Sequence, residues 1–305
     1  MKTGGPRALK HPPTSPRSPD RVPALPSVPP GILNRKGSRD TAGVPREVRA
    51  MLDAGLIETV NLCEWLVVDQ GRLAERVFRE HGWAALVGPL REELAALDTP
   101  TAPKRLAAIG RLLATAFPDG PRFETVYGTL LGHRSDVVRS WSGYMVGLAA
   151  GLSLEEKLRR VLPLAADANM AVRETAWFAV REAVAAELPK ALRLLAKVAL
   201  DGDANVRRFA SEVTRPRGVW CRHIQALKDD PSPGLVVLEP LRSDPSKYVR
   251  DSVGNWLNDA GKSRREWLLG LCARWEKESP TPETGHIVRR GLRTIRKAEA
   301  AGSAG

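Results

Sequence analysis

The feature that most constrains the fold is a seven-residue pattern, Asp-x4-Val-Arg, found at 167–173, 201–207 and 244–250. A looser copy, HRSDVVR, ends at Arg139. The closing arginines, Arg139, Arg173, Arg207 and Arg250, are spaced by 34, 34 and 43 residues, the last interval lengthened around 231–234. Each copy opens a stretch with helical apolar spacing and follows another such stretch, so the repeated unit is a helix pair. One pair cannot hide its apolar face alone, whereas stacked pairs can. The chain is therefore expected to be all-α, a HEAT-like helical-repeat solenoid whose inner curve is a long concave binding face. Within the unit, the Asp is expected to cap the helix start and the Val to point inward. The repeated Arg has two readings: an ion pair with the Asp, or a phosphate contact.

Further amphipathic stretches are expected at 44–55, 56–69, 72–81, 83–97, 103–117 and 122–131, with closing helices at 267–275 and 286–297. No segment alternates with period two long enough to make a strand. Residues 1–46 differ. They hold ten of the 24 prolines, nine Lys/Arg and two Asp, and nothing periodic. Such a segment buries too little to offset its ordering entropy, so a disordered basic tail is expected at 1–46. The solenoid is expected at 47–298 and a frayed end at 299–305.

The net charge of +12 is concentrated at the two ends, and the body is about neutral. Basic ends suit a polyanion partner. Cys63, Cys221 and Cys272 lie far apart with no CxxC, which points away from a disulfide framework or zinc site and toward a reducing cytoplasm. No apolar run approaches the ~18 residues a membrane span needs. No Walker loop, GxGxxG or HExxH is present, and the five His are scattered. No metal or cofactor, no membrane partner, a monomer and a cytoplasmic, nucleoid-associated location are expected.

Aligned on their Arg, the three clear repeats place Trp177, Glu212 and Asp259 in one layer of the stack, with Trp220 shortly after. Acids and indoles on a basic concave surface suit a cationic substrate, such as a base alkylated on a ring nitrogen. Its glycosidic bond is already weak because the base leaves neutral. The protein needs only to stabilise the sugar oxocarbenium and aim a water, which a carboxylate does. Indole faces favour the cationic base by about 0.5–2 kcal/mol per contact. The structural alternatives are an Asp259 cap or ion pair to Lys262 or Arg250, and a Glu212 that locks Arg215 or Arg217. Trp256 is expected in the core.

Two longer blocks carry a family resemblance. VRRFASEVTRPRGVW at 206–220 and YVRDSVGNWLNDAGK at 248–262 resemble the VRR-x-ASE-x-TRPR-xx-W and YVR-x-SV-x-N-x-LND-xx-K blocks of the AlkC-type DNA alkylation repair glycosylases. The string TVNLCEWLVVD at 59–69 resembles the start of their helical body. The resemblance covers 167–262 well. It implies a HEAT-like DNA glycosylase acting on 3-methyladenine, 7-methylguanine or 3-methylcytosine in double-stranded DNA. It also implies that the Glu of ASE, the Trp after TRPR and the Asp of LND, here Glu212, Trp220 and Asp259, belong to the active site.

On that reading Asp259 stabilises the oxocarbenium and activates water, and Glu212 is its acidic partner. Trp177 and Trp220 cradle the lesion, while Arg173, Arg207, Arg208, Arg215, Arg217 and Arg250 hold phosphates. No Lys is marked for Schiff-base chemistry, so the enzyme is expected to be monofunctional. One departure stands out. The family carries an acid just before its FA-[IV]-R string, whereas Trp177 precedes FAVR here, with Glu174 or Glu182 available to compensate. The rival expectations are a noncatalytic HEAT scaffold and a protein that binds damage without cutting.

Overall fold

The computed structural model describes residues 28–218 and 221–302. Its helices are α1 (Pro30–Leu33), α2 (Arg46–Asp53), α3 (Leu62–Val67), α4 (Gln70–Glu80), α5 (Val87–Ala95), α6 (Ala102–Ala116), α7 (Gly120–Leu131), α8 (Asp136–Leu148) and α9 (Leu154–Ala165). They continue as α10 (Met170–Ala186), α11 (Leu188–Val198), α12 (Ala204–Val213), α13 (Gln225–Asp229), α14 (Leu235–Leu238), α15 (Lys247–Gly261), α16 (Arg265–Glu278), α17 (Pro282–Gly291) and α18 (Arg293–Gly302). No strand occurs among the described residues, so the all-α expectation holds. None of the described helices is long and apolar enough to cross a membrane.

The helices opened by the repeated pattern form one row. α6 packs on α8, α8 on α10, α10 on α12, α12 on α15 and α15 on α17. Val172, Val206 and Val249, one per repeat, are buried as the pattern requires. Trp141, Trp256 and Trp275 are fully buried large side chains. Trp256 Nε1 donates to the Thr214 carbonyl at 3.0 Å, which satisfies the one polar atom its burial would strand. α8 and α10 approach closely because residue 147 is Gly; a Cβ there would run into the Ala179 carbonyl.

The start of each repeat is built differently from the expected cap. The Asp side chain accepts from the amide two residues on: Asn169 at 2.7 Å, Asp203 at 2.8 Å and Ser246 at 2.8 Å. It thus closes a local turn. The N-cap is the residue two further along, and in two repeats its side chain accepts from the helix: Asn169 from Ala171 N–H, Asp203 from Asn205 N–H. The Arg then folds back. Arg173, Arg207 and Arg250 each donate from Nη1 to the two loop carbonyls five and six residues earlier, at 2.7–2.9 Å. Two arginines also lock one repeat to the next through paired bonds to a carboxylate: Arg139 to Asp167 and Arg207 to Asp244.

Three boundaries differ from expectation. Disorder does not extend to residue 46. Val44 is buried, and Arg35 makes a two-point pair with the buried Glu64 at 2.8 and 2.6 Å, which ties the Pro-rich segment to α3. The rest of the expected tail, 1–27, lies outside the described residues. The stretch 56–69 is helical only over α3. Residues 57–60 are held non-helical by Asp136, which accepts from Thr59 N–H and Oγ1 at 2.9 and 2.5 Å. The stretch 286–297 is two helices that break at Leu292, where Asn258 Oδ1 takes up the Thr294 amide and hydroxyl. Arg289 and Arg290 therefore sit on a different helix from Arg293 and Arg296. At the end, α18 runs to Gly302, past the expected fraying point of 299, and 303–305 lie outside the described residues.

His133 gives this scaffold a pH dependence. Burial, reinforced by His81, Arg134 and Arg139, pushes its pKa down to about 4. Its Nδ1 accepts from Ser135 N–H at 3.0 Å, which needs the neutral ring. The folded pKa lies below the unfolded value, so the contribution is present above pH 6.5 and is lost as pH falls toward 4. The stability difference between wild type and His133→Gln, from urea midpoints, should therefore shrink by about 2 kcal/mol between pH 8 and pH 5.

Candidate active site

A row of alternating charges crosses three helices packed in succession, α10, α12 and α15. On α10, Trp177 Nε1 donates to Glu174 Oε2 at 2.9 Å. The other Glu174 oxygen pairs with Arg208 of α12 at 2.6 Å, and Arg208 lies 3.6 Å from Glu212. Glu212 Oε2 pairs with Arg215 Nη1 at 3.2 Å. Arg215 then reaches α15, where its Nη2 and Nε meet Asp259 Oδ2 at 2.7 and 2.9 Å. Lys262 Nζ stands 3.5 Å from the other Asp259 oxygen. One guanidinium thus joins the two predicted acids.

The helical repeat explains this convergence. Glu212 is four residues from Arg208, so the two share one face of α12, and Arg215 lies two residues past the end of that helix. The packing of α12 on α15 supplies Asp259. Burial opposes the Arg215 charge, but the Glu212 and Asp259 carboxylates more than offset it, and its pKa is raised. Both carboxylates are covered: Glu212 is 2% exposed and Asp259 3%. Arg215 lies over them and is itself only slightly exposed.

Two residues to which sequence reasoning gave no role hold this row in place. Arg181, the last residue of FAVR, is buried and donates to three carbonyls: Val213 at 2.9 Å, Arg215 at 2.6 Å and Arg222 at 3.1 Å. It clamps both ends of the segment that carries TRPR. Tyr248, the Tyr of YVR, lies under two guanidinium groups. The Arg208 carbon is 4.2 Å from its ring centre and that of Arg173 is 5.4 Å away. The strings FAVR and YVR were visible in the sequence, but nothing local to either string reports a partner about 30 to 75 residues away.

The other predicted residues are placed as follows. Trp177 is 5% exposed and its ring stacks on Phe178 at 3.8 Å between centres. This corrects the expectation of an open indole face: burial and the bond to Glu174 make it a support for that carboxylate. A carboxylate, Glu174, thus lies three residues before the position where the family pattern has its acid. Trp220 lies outside the described residues. Arg207 is engaged by Asp244, the ion-pair alternative for the repeated Arg, although the partner is the Asp of the next repeat. Arg173 and Arg250 each keep a buried Nε with no hydrogen-bond partner among the described residues. Arg217 donates to the Asp259 carbonyl at 3.1 Å and to Ser263 Oγ at 2.5 Å, which fixes the far side of the TRPR segment. Asp259 takes the predicted Lys262 contact and none from Arg250. Glu212 does lock Arg215.

No protein-family model matches the chain. A stretch of 123 residues is 40% identical to the uncharacterized protein YhaZ of Bacillus subtilis (strain 168), covering 40% of this chain and 34% of that protein. The chain thus spans about a third of that relative's length. Among solved structures it is similar to the Pseudomonas fluorescens alkylpurine DNA glycosylase AlkC bound to DNA containing an abasic site analog. That match has 28% identity, covers 70% of this chain and 57% of that one, and has a TM-score of 0.57. AlkD2 from Streptococcus mutans matches at 20% identity and a TM-score of 0.52, over 68% of this chain and 96% of its own. The smu.31 protein of Streptococcus mutans UA159 matches at 21% and 0.50, over 66% and 97%. With the helical stack described above, these likenesses show that the chain has a HEAT-like helical-repeat fold similar to that of the AlkC and AlkD2 structures.

Proposed function

We propose that the chain is a monofunctional DNA glycosylase that hydrolyses the N-glycosidic bond of cationic N-alkylated bases in double-stranded DNA. The observation that carries this reading is the joining of Glu212 and Asp259 through the single guanidinium of Arg215. Two acids from neighbouring repeats, held at fixed separation by a cation, are prearranged for developing positive charge. The solved AlkC relative, which is bound to abasic-site DNA, supports the choice of DNA over other polyanions.

The reaction needs little from the protein. The bond from C1′ to the alkylated ring nitrogen breaks, and its electron pair neutralises the base. Asp259 stabilises the oxocarbenium and takes a proton from the water whose oxygen bonds to C1′. An abasic sugar and a free base result, with no cofactor taking part. Because Asp259 is covered in the free protein, Arg215 must first release it. A backbone phosphate is the natural exchange partner for that guanidinium. DNA binding would then uncover the catalytic carboxylate. Trp220 supplies a face for the base, and Glu212 stays as the second acid.

The occlusion of both carboxylates also favours a second reading, in which the row is a staple and the protein binds damage without cutting. Incubation with duplex DNA carrying 3-methyladenine separates the two. Released base, with strand breaks appearing only after alkali, supports the enzyme; tight binding without release overturns it. The arginines divide as well. Arg250→Ala should lower the salt slope of DNA binding by about one. Arg207→Ala should leave that slope unchanged but cost about 3 kcal/mol of stability, because it strands the buried Asp244.

A further inference from the structure

Arg293, the first residue of α18, is an exposed cation with no carboxylate of its own. Among the described residues it forms no ion pair, and its Nη1 donates to the Arg290 carbonyl at 2.8 Å. Burial of its stem and the charge of Arg290 push its pKa below the usual guanidinium value, and Asp259 and Arg215 are close enough to act on it as well. Buried Asn258 sets this placement. Its Oδ1 accepts from the Thr294 hydroxyl at 2.8 Å and from the Thr294 amide at 3.3 Å. The start of α18 is thereby pinned to α15 at the residue next to Asp259.

Arg290 lies along the same seam. Its stem crosses α15 at Gly254, where a Cβ would come within 2.7 Å of the Arg290 Cβ. Its Nε donates to the Asp251 carbonyl and to Asn255 Oδ1 at 3.1 and 3.0 Å. Asp251 stands 3.5 Å from its Nη1 and also serves Lys247 and His286, at 2.7 and 2.8 Å. The charge row thus runs past Asp259 and ends on cations. Arg296, on the next part of α18, lies near Cys272 of α16 instead.

A sugar within a DNA strand has a phosphate on each side. A carboxylate aimed at C1′ is held in register when a cation meets each of those phosphates. The exchange proposed above supplies one of them, Arg215. We propose that Arg293 binds the other backbone phosphate flanking the target sugar, and that Asn258 is the positioning residue that holds Arg293 there. The proposal rests on the glycosylase reading and adds how the strand is centred on Asp259.

The test is binding of the full chain to a duplex containing an abasic-site analogue, with one flanking phosphate at a time replaced by a neutral methylphosphonate. Wild type should lose about tenfold in affinity at each flank, the worth of one charge-assisted contact. Arg293→Ala should lose about as much on the unmodified duplex, with a salt slope lower by about one. It should also become insensitive to the methylphosphonate at one flank and stay sensitive at the other. Arg296→Ala should match wild type. Asn258→Ala should repeat the Arg293→Ala pattern, and the double variant should bind no more weakly than Arg293→Ala. Arg293 is exposed, so its truncation leaves the fold intact and tests the contact even where Asn258→Ala unfolds. An Arg293→Ala variant that still responds to both methylphosphonates overturns the phosphate contact. A folded Asn258→Ala that binds as wild type overturns the positioning role. Because this binding needs no bond cleavage, the two readings fail separately: the Arg293 pattern without base release from methylated duplex sinks the glycosylase alone, and release without the pattern sinks the phosphate contact alone.

Discussion

Asp259→Asn should slow single-turnover base release on the order of a thousandfold, while the protein stays folded. The substitution keeps shape and removes charge. Without the carboxylate nothing accepts the water proton or faces the oxocarbenium, because the nearest other acid, Glu212, is held by Arg215. Stability should fall by only about 1–2 kcal/mol, since Arg215 keeps its Glu212 contact and the Asn oxygen can still accept one bond. Glu212→Gln should cost less in rate, because its carboxylate lies one guanidinium further from the proposed proton acceptor. If Asp259 were only a staple, the order would reverse: stability would drop and the rate of release would not.

Arg181→Ala should have the largest effect on folding. Three carbonyls lose their donor in a buried site, and the truncated side chain leaves a void. Urea unfolding should show a loss of about 3–5 kcal/mol. The damage should concentrate at 213–222, because Arg181 bonds the backbone at 213, 215 and 222. Amide exchange there should accelerate more than elsewhere. Base release should fall at least tenfold, because Arg215 rides on that segment. Arg181→Lys retains charge but cannot fork to three carbonyls, so it should recover only part of the loss. A fully stable Arg181→Ala variant would show that the TRPR segment holds its shape by other means.

What could be read before the structure follows a physical divide. The recurrence of Asp-x4-Val-Arg reports a repeated helix pair, because burial of one face is a local, periodic requirement. That periodicity put Glu212 and Asp259 in one layer, on successive repeats, and the structure finds them joined through Arg215. Partner choice is not periodic. Arg207 meets the carboxylate of the Asp 37 residues ahead, and only the backbone carbonyl of the Asp in its own repeat. Trp177 looked like an open indole until Glu174, on the same helix face, took its N–H. The segment at 28–46 looked too rich in proline to pack. A buried valine, an Arg–Glu pair and side-chain bonds from Asn61 and Cys63 to its backbone anchor it, and composition averages out such contacts. The break at Leu292 depends on Asn258, which lies 36 residues before Thr294.

The central claim is that Glu212 and Asp259 form one hydrolytic unit through Arg215. Its most direct test is the single-turnover release of 3-methyladenine from duplex DNA by the wild type, the two single variants Glu212→Gln and Asp259→Asn, and the double variant. The account predicts release by the wild type and a double variant no slower than Asp259→Asn alone, since parts of one unit do not add. No release by the wild type, or both single variants releasing base at its rate, would contradict it.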